Sequence, residues 1–236
     1  MPSHRHAPHW TADAQTQESH IMSTPILYDY WRSSASYRVR IALNLKGIAY
    51  ESVAVDLLQR QHGAPDHLAR NPQGFVPALQ IDGHMMTQSL AIIEYLEART
   101  PTPAMMPTDA AEAVRLRAIA YAIAMEIHPI CNPSVVAQHA AAFDGSDADK
   151  QSWMRHFIDK GLRAVEQLAD HPATGAFLHG NAPGLADCVL VPQIYNARRW
   201  GVALDAMPRL VAIDDACQAL PAFATAAPEA VNNAAS

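Results

Sequence analysis

An α+β domain followed by an all-α helical bundle is the fold class this sequence predicts, and three observations carry it. A strand, a helix and a second strand are followed by a hairpin and another helix within about 75 residues, the pattern of an α+β unit with a mixed sheet. Thr100-Pro101-Thr102-Pro103 cannot continue a helix and reads as a linker. Everything beyond it has helical periodicity. The predicted division is an extension over residues 1–21, an α+β domain over 22–103 and a helical domain over 104–236.

The elements follow in order. Residues 1–21 are polar, lack periodicity and hold four of the twelve histidines, so they read as a disordered upstream extension. His4-x-His6-x-x-His9 could catch a metal, but ordinary tail chemistry is the plainer reading and no metal site is assigned. Ile26 to Tyr30 is a short strand. Ser33-Ser34 then offers N-cap hydroxyls to a helix over Ser36–Lys46, with Val39, Ala42, Leu43 and Lys46 on one face and Gly47 as its stop. Ser52–Val55 is the second strand and Ala78–Ile81 the third. Asp82-Gly83 makes a tight turn into His84–Thr87, so those two strands pair antiparallel. Ser89 caps a helix over Leu90–Arg99.

In the second domain, Asp109-x-x-Glu112 opens a long Ala-rich helix reaching past Glu126, which Pro129 should kink or end. Asp147–Leu168 forms another. Leu185–Trp200 is nearly unbroken in apolar character around Val189-Leu190-Val191 and should be the central buried helix. Pro208–Ala219 and a short segment near Phe223 complete the bundle.

Composition excludes several function classes. The chain has 236 residues, 50% of them hydrophobic, and a formal net charge of −6, which argues against a nucleic-acid surface. Three cysteines without a secretory signal read as reduced thiols in a cytoplasmic protein. No run approaches the roughly 18 apolar residues of a membrane span.

Local motifs then coincide. The run Ser33-Ser34-Ala35-Ser36-Tyr37-Arg38-Val39-Arg40-Ile41-Ala42-Leu43 resembles the N-terminal motif of zeta-class glutathione transferases, Ser-Ser-Cys-x-x-Arg-Val-Arg-Ile-Ala-Leu. The likeness continues through residues 71–79, 88–96 and Ile127-His128-Pro129, and reaches Leu185-Ala186-Asp187 and Val191-Pro192-Gln193. It implies a thioredoxin-like first domain, a helical second domain, glutathione as cofactor and a homodimer. The implied activity is cis–trans isomerisation of a maleyl keto-dicarboxylate, maleylacetoacetate or maleylpyruvate, to its fumaryl isomer.

The physical case for each site residue stands beside its plainer alternative. A thiol of pKa about 8.5 is mostly protonated at neutral pH, whereas hydroxyls and amides at a helix N-terminus stabilise the thiolate. Ser33, with Ser34 adjacent, is by resemblance the hydroxyl facing the glutathione sulfur; alone, it would read as an N-cap. The likeness also assigns Ser36 and Arg38 to glutathione binding. Val76-Pro77 resembles the cis-proline turn that exposes backbone to the cysteinyl group. Gln88-Ser89 resembles the γ-glutamyl site, where a capping role and carboxylate binding can coexist. His62 is placed by the resemblance at a polar glutathione contact. His128 is either a satisfied histidine beside a proline or, with Asn132, a group reaching glutathione or substrate.

Arginine binds carboxylates bidentately, so Arg32 and Arg199 are by resemblance the clamp for a small dianionic keto-acid. The alternative, a paired surface arginine, stays open for Arg198. Two positions depart from the family pattern. Ala35 replaces a cysteine often tied to the active site, although glutathione brings its own sulfur. Gly184 replaces Ser or Thr before Asp187, which should remain structural at the helix start. Cys131, Cys188 and Cys217 fall on predicted helices as inert thiols. Two other functions fit parts of the pattern. A transferase or dehalogenase acting on small α-halo acids would consume glutathione, and a non-catalytic glutathione-binding protein would have no need of the arginine clamp.

Overall fold

The computed structural model describes residues 23–234, so the expectations for residues 1–21 lie outside the described residues. Strands β1 (Ile26–Asp29), β2 (Glu51–Ala54), β3 (Ala78–Ile81) and β4 (His84–Thr87) form one mixed sheet in the order β2-β1-β3-β4. β1 and β2 run parallel because helix α1 (Ser34–Leu45) crosses over between them, whereas β3 lies antiparallel to both β1 and β4. The hairpin forms as its sequence predicts. Asp82 (φ 52°) and Gly83 (φ 78°) both take the left-handed conformation that a two-residue turn demands. Arg99 and Tyr95 hold the Asp82 carboxylate at 2.5 and 2.6 Å, and the Arg99 bond keeps its pKa below the usual range. Helix α2 (Pro65–Arg70) was not anticipated; six residues are too few to show a period, and only Pro65 at its first turn marks it.

Helix α3 (Ser89–Arg99) closes the first domain. Here the structure corrects the sequence reading. The capping position belongs to Gln88, held at φ 67°, and Ser89 is the first helical residue. The second domain opens with α4 (Ala110–Tyr121), whose N-cap Asp109 accepts the Glu112 amide at 2.9 Å. The helix continues towards Pro129, but as a π-helical turn over Ala122–Ile127. It is followed by α5 (Pro133–Ala142), α6 (Asp147–Leu168), α7 (Leu185–Arg199), α8 (Pro208–Gln218), α9 (Pro221–Ala224) and α10 (Pro228–Ala234). Helix α5 was not anticipated, because its Val, Ala, Gln and His residues show little periodicity.

Helix α7 is the central element and packs against α1, α4 and α8. Residues Leu185 to Ile194 are all buried, and contacts on every side override the helix-breaking cost of Pro192. Asp187 is structural, as expected. Its carboxylate accepts the amides of Leu178 (2.9 Å) and Gly184 (2.8 Å), although burial raises its pKa to about 6. Close approach explains two glycines. A Cβ on Gly161 of α6 would lie 2.3 Å from Ile127, and one on Gly184 would lie 2.6 Å from the Met105 carbonyl. The three cysteines are buried free thiols; Cys188 and Cys217 lie on helices, but Cys131 sits in the turn before α5.

One continuous apolar core runs from Leu27 in β1 to Ala226 near the C-terminus and so includes both domains. Buried charges stitch the seam. Lys46 reaches both Glu97 and the Pro103 carbonyl at 2.5 Å, while Glu97 also accepts the amides of Met105 and Met106. Arg40 is fully buried and uses every arm. It donates to both oxygens of Asp29 (2.8 and 2.7 Å) and to the carbonyls of Trp31 and Ala226 (both 2.9 Å). Removing one partner of such a pair strands a buried charge, a loss of about 3–5 kcal/mol, whereas removing both costs less. Asp29→Ala is therefore expected to lower unfolding free energy by about that amount, with Asp29→Ala/Arg40→Met less unstable than the sum of the single changes. Urea denaturation measures it, and a change below about 1 kcal/mol for Asp29→Ala would contradict this role.

Candidate functional site

The loop from β1 to α1 sets the first part of the site. The Arg40 bond to the Trp31 carbonyl and a bond from the Ser33 amide to the Tyr30 carbonyl (2.9 Å) fix its course. Below it, Tyr30, Val55 and Val76 form a small apolar cluster separate from the main core. Ser33 is the N-cap of α1, and its Oγ accepts the Ser36 amide at 3.2 Å. That bond occupies a lone pair and leaves the hydroxyl proton to donate elsewhere. No acidic residue occupies the first turn of α1 or of α3, so neither positive helix end is neutralised locally.

The second part lies at the start of α3. The Val76–Pro77 bond is cis, and Val76 is nearly buried. Gln88 holds a sparsely populated backbone conformation, and its side-chain amide donates to Gln73 at 2.7 Å. Ser89 Oγ accepts from the buried Arg38 guanidinium at 3.2 Å. His128 follows the π turn and lies within the field of Arg38. Desolvation first, and the Arg38 charge second, push its pKa down to about 3, so the ring is neutral at physiological pH.

Arg199, an exposed residue at the end of α7, lies within the electrostatic field of Arg32 in the loop before α1. Burial and the nearby Arg32 charge lower the Arg199 pKa. Arg32 stacks over Trp31 and reaches the Tyr30 hydroxyl at 3.5 Å, while Arg199 stacks over Trp200. Among the described residues neither guanidinium forms an ion pair. Arg198 does, with Asp214, so the paired-arginine reading is right for Arg198. Tyr195, one helical turn before Arg199, donates its hydroxyl to Glu229 of α10 at 2.7 Å. Burial and Glu229 push its pKa up to about 12, so it remains a phenol.

Other candidates stand apart. Ser36 is fully buried and its amide is spent on Ser33, so it builds the cap and offers a ligand no accessible side-chain atom. Arg38, 2% exposed, can act on a ligand only through what covers it. Asn132 is the N-cap of α5, where Oδ1 accepts both the amide and the hydroxyl of Ser134, leaving only its NH₂ for other partners. His62 lies in a short 3₁₀ turn over Gln61–Gly63, and no hydrogen bond joins it to the other candidates among the described residues. Two supporting residues had no chemical signal in the sequence. His67 Nε2 and Asn71 Nδ2 both bond the Phe75 carbonyl at 2.9 Å and so hold the chain entering Val76. Their roles follow from burial and loop geometry, which spacing alone does not reveal.

The model of the glutathione S-transferase N-terminal domain matches residues 23–98, and that of the C-terminal domain matches residues 151–224. Maleylacetoacetate isomerase of Rhizobium meliloti is 58% identical over 204 residues, covering 86% of this chain and 96% of that one. A holo structure of maleylpyruvate isomerase, a bacterial zeta-class glutathione S-transferase, superposes with TM-score 0.85 at 44% identity, covering 87% of this chain and 97% of the other. Maleylacetoacetate isomerase of Anaeromyxobacter dehalogenans, with dicarboxyethyl glutathione and citrate bound in its active site, superposes with TM-score 0.79 at 44% identity, covering 88% and 95%.

The depressed His128 pKa has a definite sign in stability. Between about 3 and the ordinary 6.5 the unfolded chain binds a proton that the folded chain refuses, so folding loses stability as pH falls through that window. His128→Gln should flatten this slope relative to the unaltered protein. Urea midpoints from pH 7 to 4 check it, and parallel curves would contradict the assigned environment.

Proposed function

The chain belongs to the glutathione S-transferase family, and from that premise we propose that it is a glutathione-dependent cis–trans isomerase of maleyl keto-dicarboxylates. Its substrate would be maleylacetoacetate or maleylpyruvate, converted to the fumaryl isomer in aromatic-compound catabolism. The observation that carries the reading is two guanidiniums without carboxylate partners, Arg32 next to the Ser33 that caps α1 and Arg199 within its field. A small dianion supplies what both lack. A glutathione-binding protein without a second ligand gives no reason to hold two unpaired arginines there.

The chain's residues suit glutathione at both helix ends. Ser33, with Ser34 beside it, directs a hydroxyl proton and the positive end of α1 at the sulfur position. Val76, before cis Pro77, offers backbone to the cysteinyl group, and Gln88 with Ser89 holds the γ-glutamyl carboxylate at the start of α3. Glutathione, when bound there, would supply the thiolate needed for reversible addition to the olefin, which allows rotation and returns the cofactor unchanged. Arg32 and Arg199 orient the two carboxylates and stabilise negative charge developing on the keto oxygen. Neutral His128 lines the seam without adding charge. The three buried cysteines supply no competing nucleophile, since burial raises their pKa values.

The reading extends to a cytoplasmic homodimer, supported by the family resemblance and by the free thiols. Among the described residues no helix is long and apolar enough to cross a membrane.

Turnover of both keto-acids at saturating glutathione, with the glutathione recovered intact, is the expected result; stoichiometric loss of glutathione would indicate a transferase instead. Arg199→Ala should raise KM for the keto-acid while leaving glutathione affinity within about twofold, whereas equal loss of both would contradict the clamp. Ser33→Ala removes a hydrogen bond to an anion worth about 1.5–3 kcal/mol, so the thiol pKa of bound glutathione should rise by about one to two units, followed by thiolate absorbance.

A further inference from the structure

Three cations are buried deeply in the first domain, and two of them are paired: Arg40 with Asp29, and Lys46 with Glu97. Arg38 is different. It is 2% exposed, donates one Nη1 bond to Ser89 Oγ, and leaves Nε and Nη2 without any partner. No carboxylate pairs with it among the described residues, and the other titratable group in its field, His128, is neutral. Such a charge opposes folding unless something compensates it. Its one hydrogen bond leads to the first residue of α3. The first helical bond there runs from the Ile92 amide to the Gln88 carbonyl, so the amides of Ser89, Leu90 and Ala91 have no partner one turn back.

We propose that Arg38 is a positioning residue for the α-carboxylate of the γ-glutamyl group, acting through Ser89 and touching no ligand atom. The inference rests on the glutathione reading above and deepens it. By donating to Ser89 Oγ, Arg38 fills an acceptor site of the hydroxyl and turns its proton outward, towards the carboxylate. Its permanent charge lies behind that hydroxyl and adds to the α3 dipole. In the free protein this charge is uncompensated; the bound carboxylate is the countercharge it lacks.

The test is Arg38→Met, of similar length and uncharged, in the full chain. Two ligands are titrated by calorimetry: glutathione, and 4-aminobutanoyl-Cys-Gly, which lacks the γ-glutamyl α-carboxylate. The variant should lose about 10- to 100-fold in affinity for glutathione, as expected for a hydrogen bond to a charged group, and stay within about twofold of wild type for the analogue. Adding Ser89→Ala to Arg38→Met should cost little more than either change alone, because both act on one path. Without ligand, the variant should melt at the same temperature as wild type or higher, the opposite of what a structural arginine predicts. Arg38→Lys should recover part of the glutathione affinity. Equal losses for both ligands, a lowered melting temperature of the free protein, or failure of Arg38→Met to fold while Arg38→Lys folds without selectivity would overturn the assignment. Wild-type protein that ignores glutathione would instead overturn the functional reading itself.

Discussion

The buried contact between Arg40 and Asp29 organises the rest of the molecule. Asp29 ends β1, Arg40 lies in the middle of α1, and the two remaining arms of the guanidinium hold the Trp31 and Ala226 carbonyls. One side chain thereby sets the direction of α1 from the sheet, the path of the loop bearing Arg32 and Ser33, and the seat of the C-terminal segment. Such pairs contribute less to net stability than a well-packed apolar group would, because desolvation offsets their attraction. What they fix is geometry, and here the geometry fixed is that of the loop leading to the α1 N-terminus.

Around that frame, charge is distributed with a consistent logic. Structural cations are neutralised by carboxylates of the chain: Arg40 by Asp29, Lys46 by Glu97, Arg198 by Asp214. Among the described residues Arg60, Arg70, Arg155 and Lys160 have no carboxylate partner and lie elsewhere. Arg32, beside the Ser33 cap of α1, Arg38, bonded to the first residue of α3, and Arg199, in the field of Arg32, also lack one. His128 sits among them and stays uncharged because burial and Arg38 both oppose its protonation. A net-acidic protein thus holds a small cationic region, which focuses the field on an anion entering it.

Much of the fold was legible in the sequence because its signals are local. Asp82-Gly83 is read from the backbone conformations it tolerates, and Asp109-x-x-Glu112 marks the start of α4. Helices α2 and α5 escaped for the opposite reason, one too short and the other too weakly periodic. The site divides in the same way. The Ser33 cap and the cis bond at Pro77 follow from motif resemblance, yet adjacent Arg198 and Arg199 differ only in where Asp214 lies, a contact sixteen residues away. The link from Arg38 to Ser89 spans 51 residues and has no pattern to announce it. Ser89 itself reads as a cap until the positive φ of Gln88 shifts the boundary by one residue.

The bond from Arg40 to the Ala226 carbonyl joins residues 186 apart in the chain. During synthesis the thioredoxin-like half emerges first, and until residue 226 follows it this arm of the guanidinium has no native acceptor. The guanidinium that holds the loop carrying Arg32 and Ser33 is therefore fully satisfied only at the end of translation, after its own neighbours have appeared. Truncated chains released early would carry the whole sequence motif with one arm of that buried guanidinium left without its acceptor.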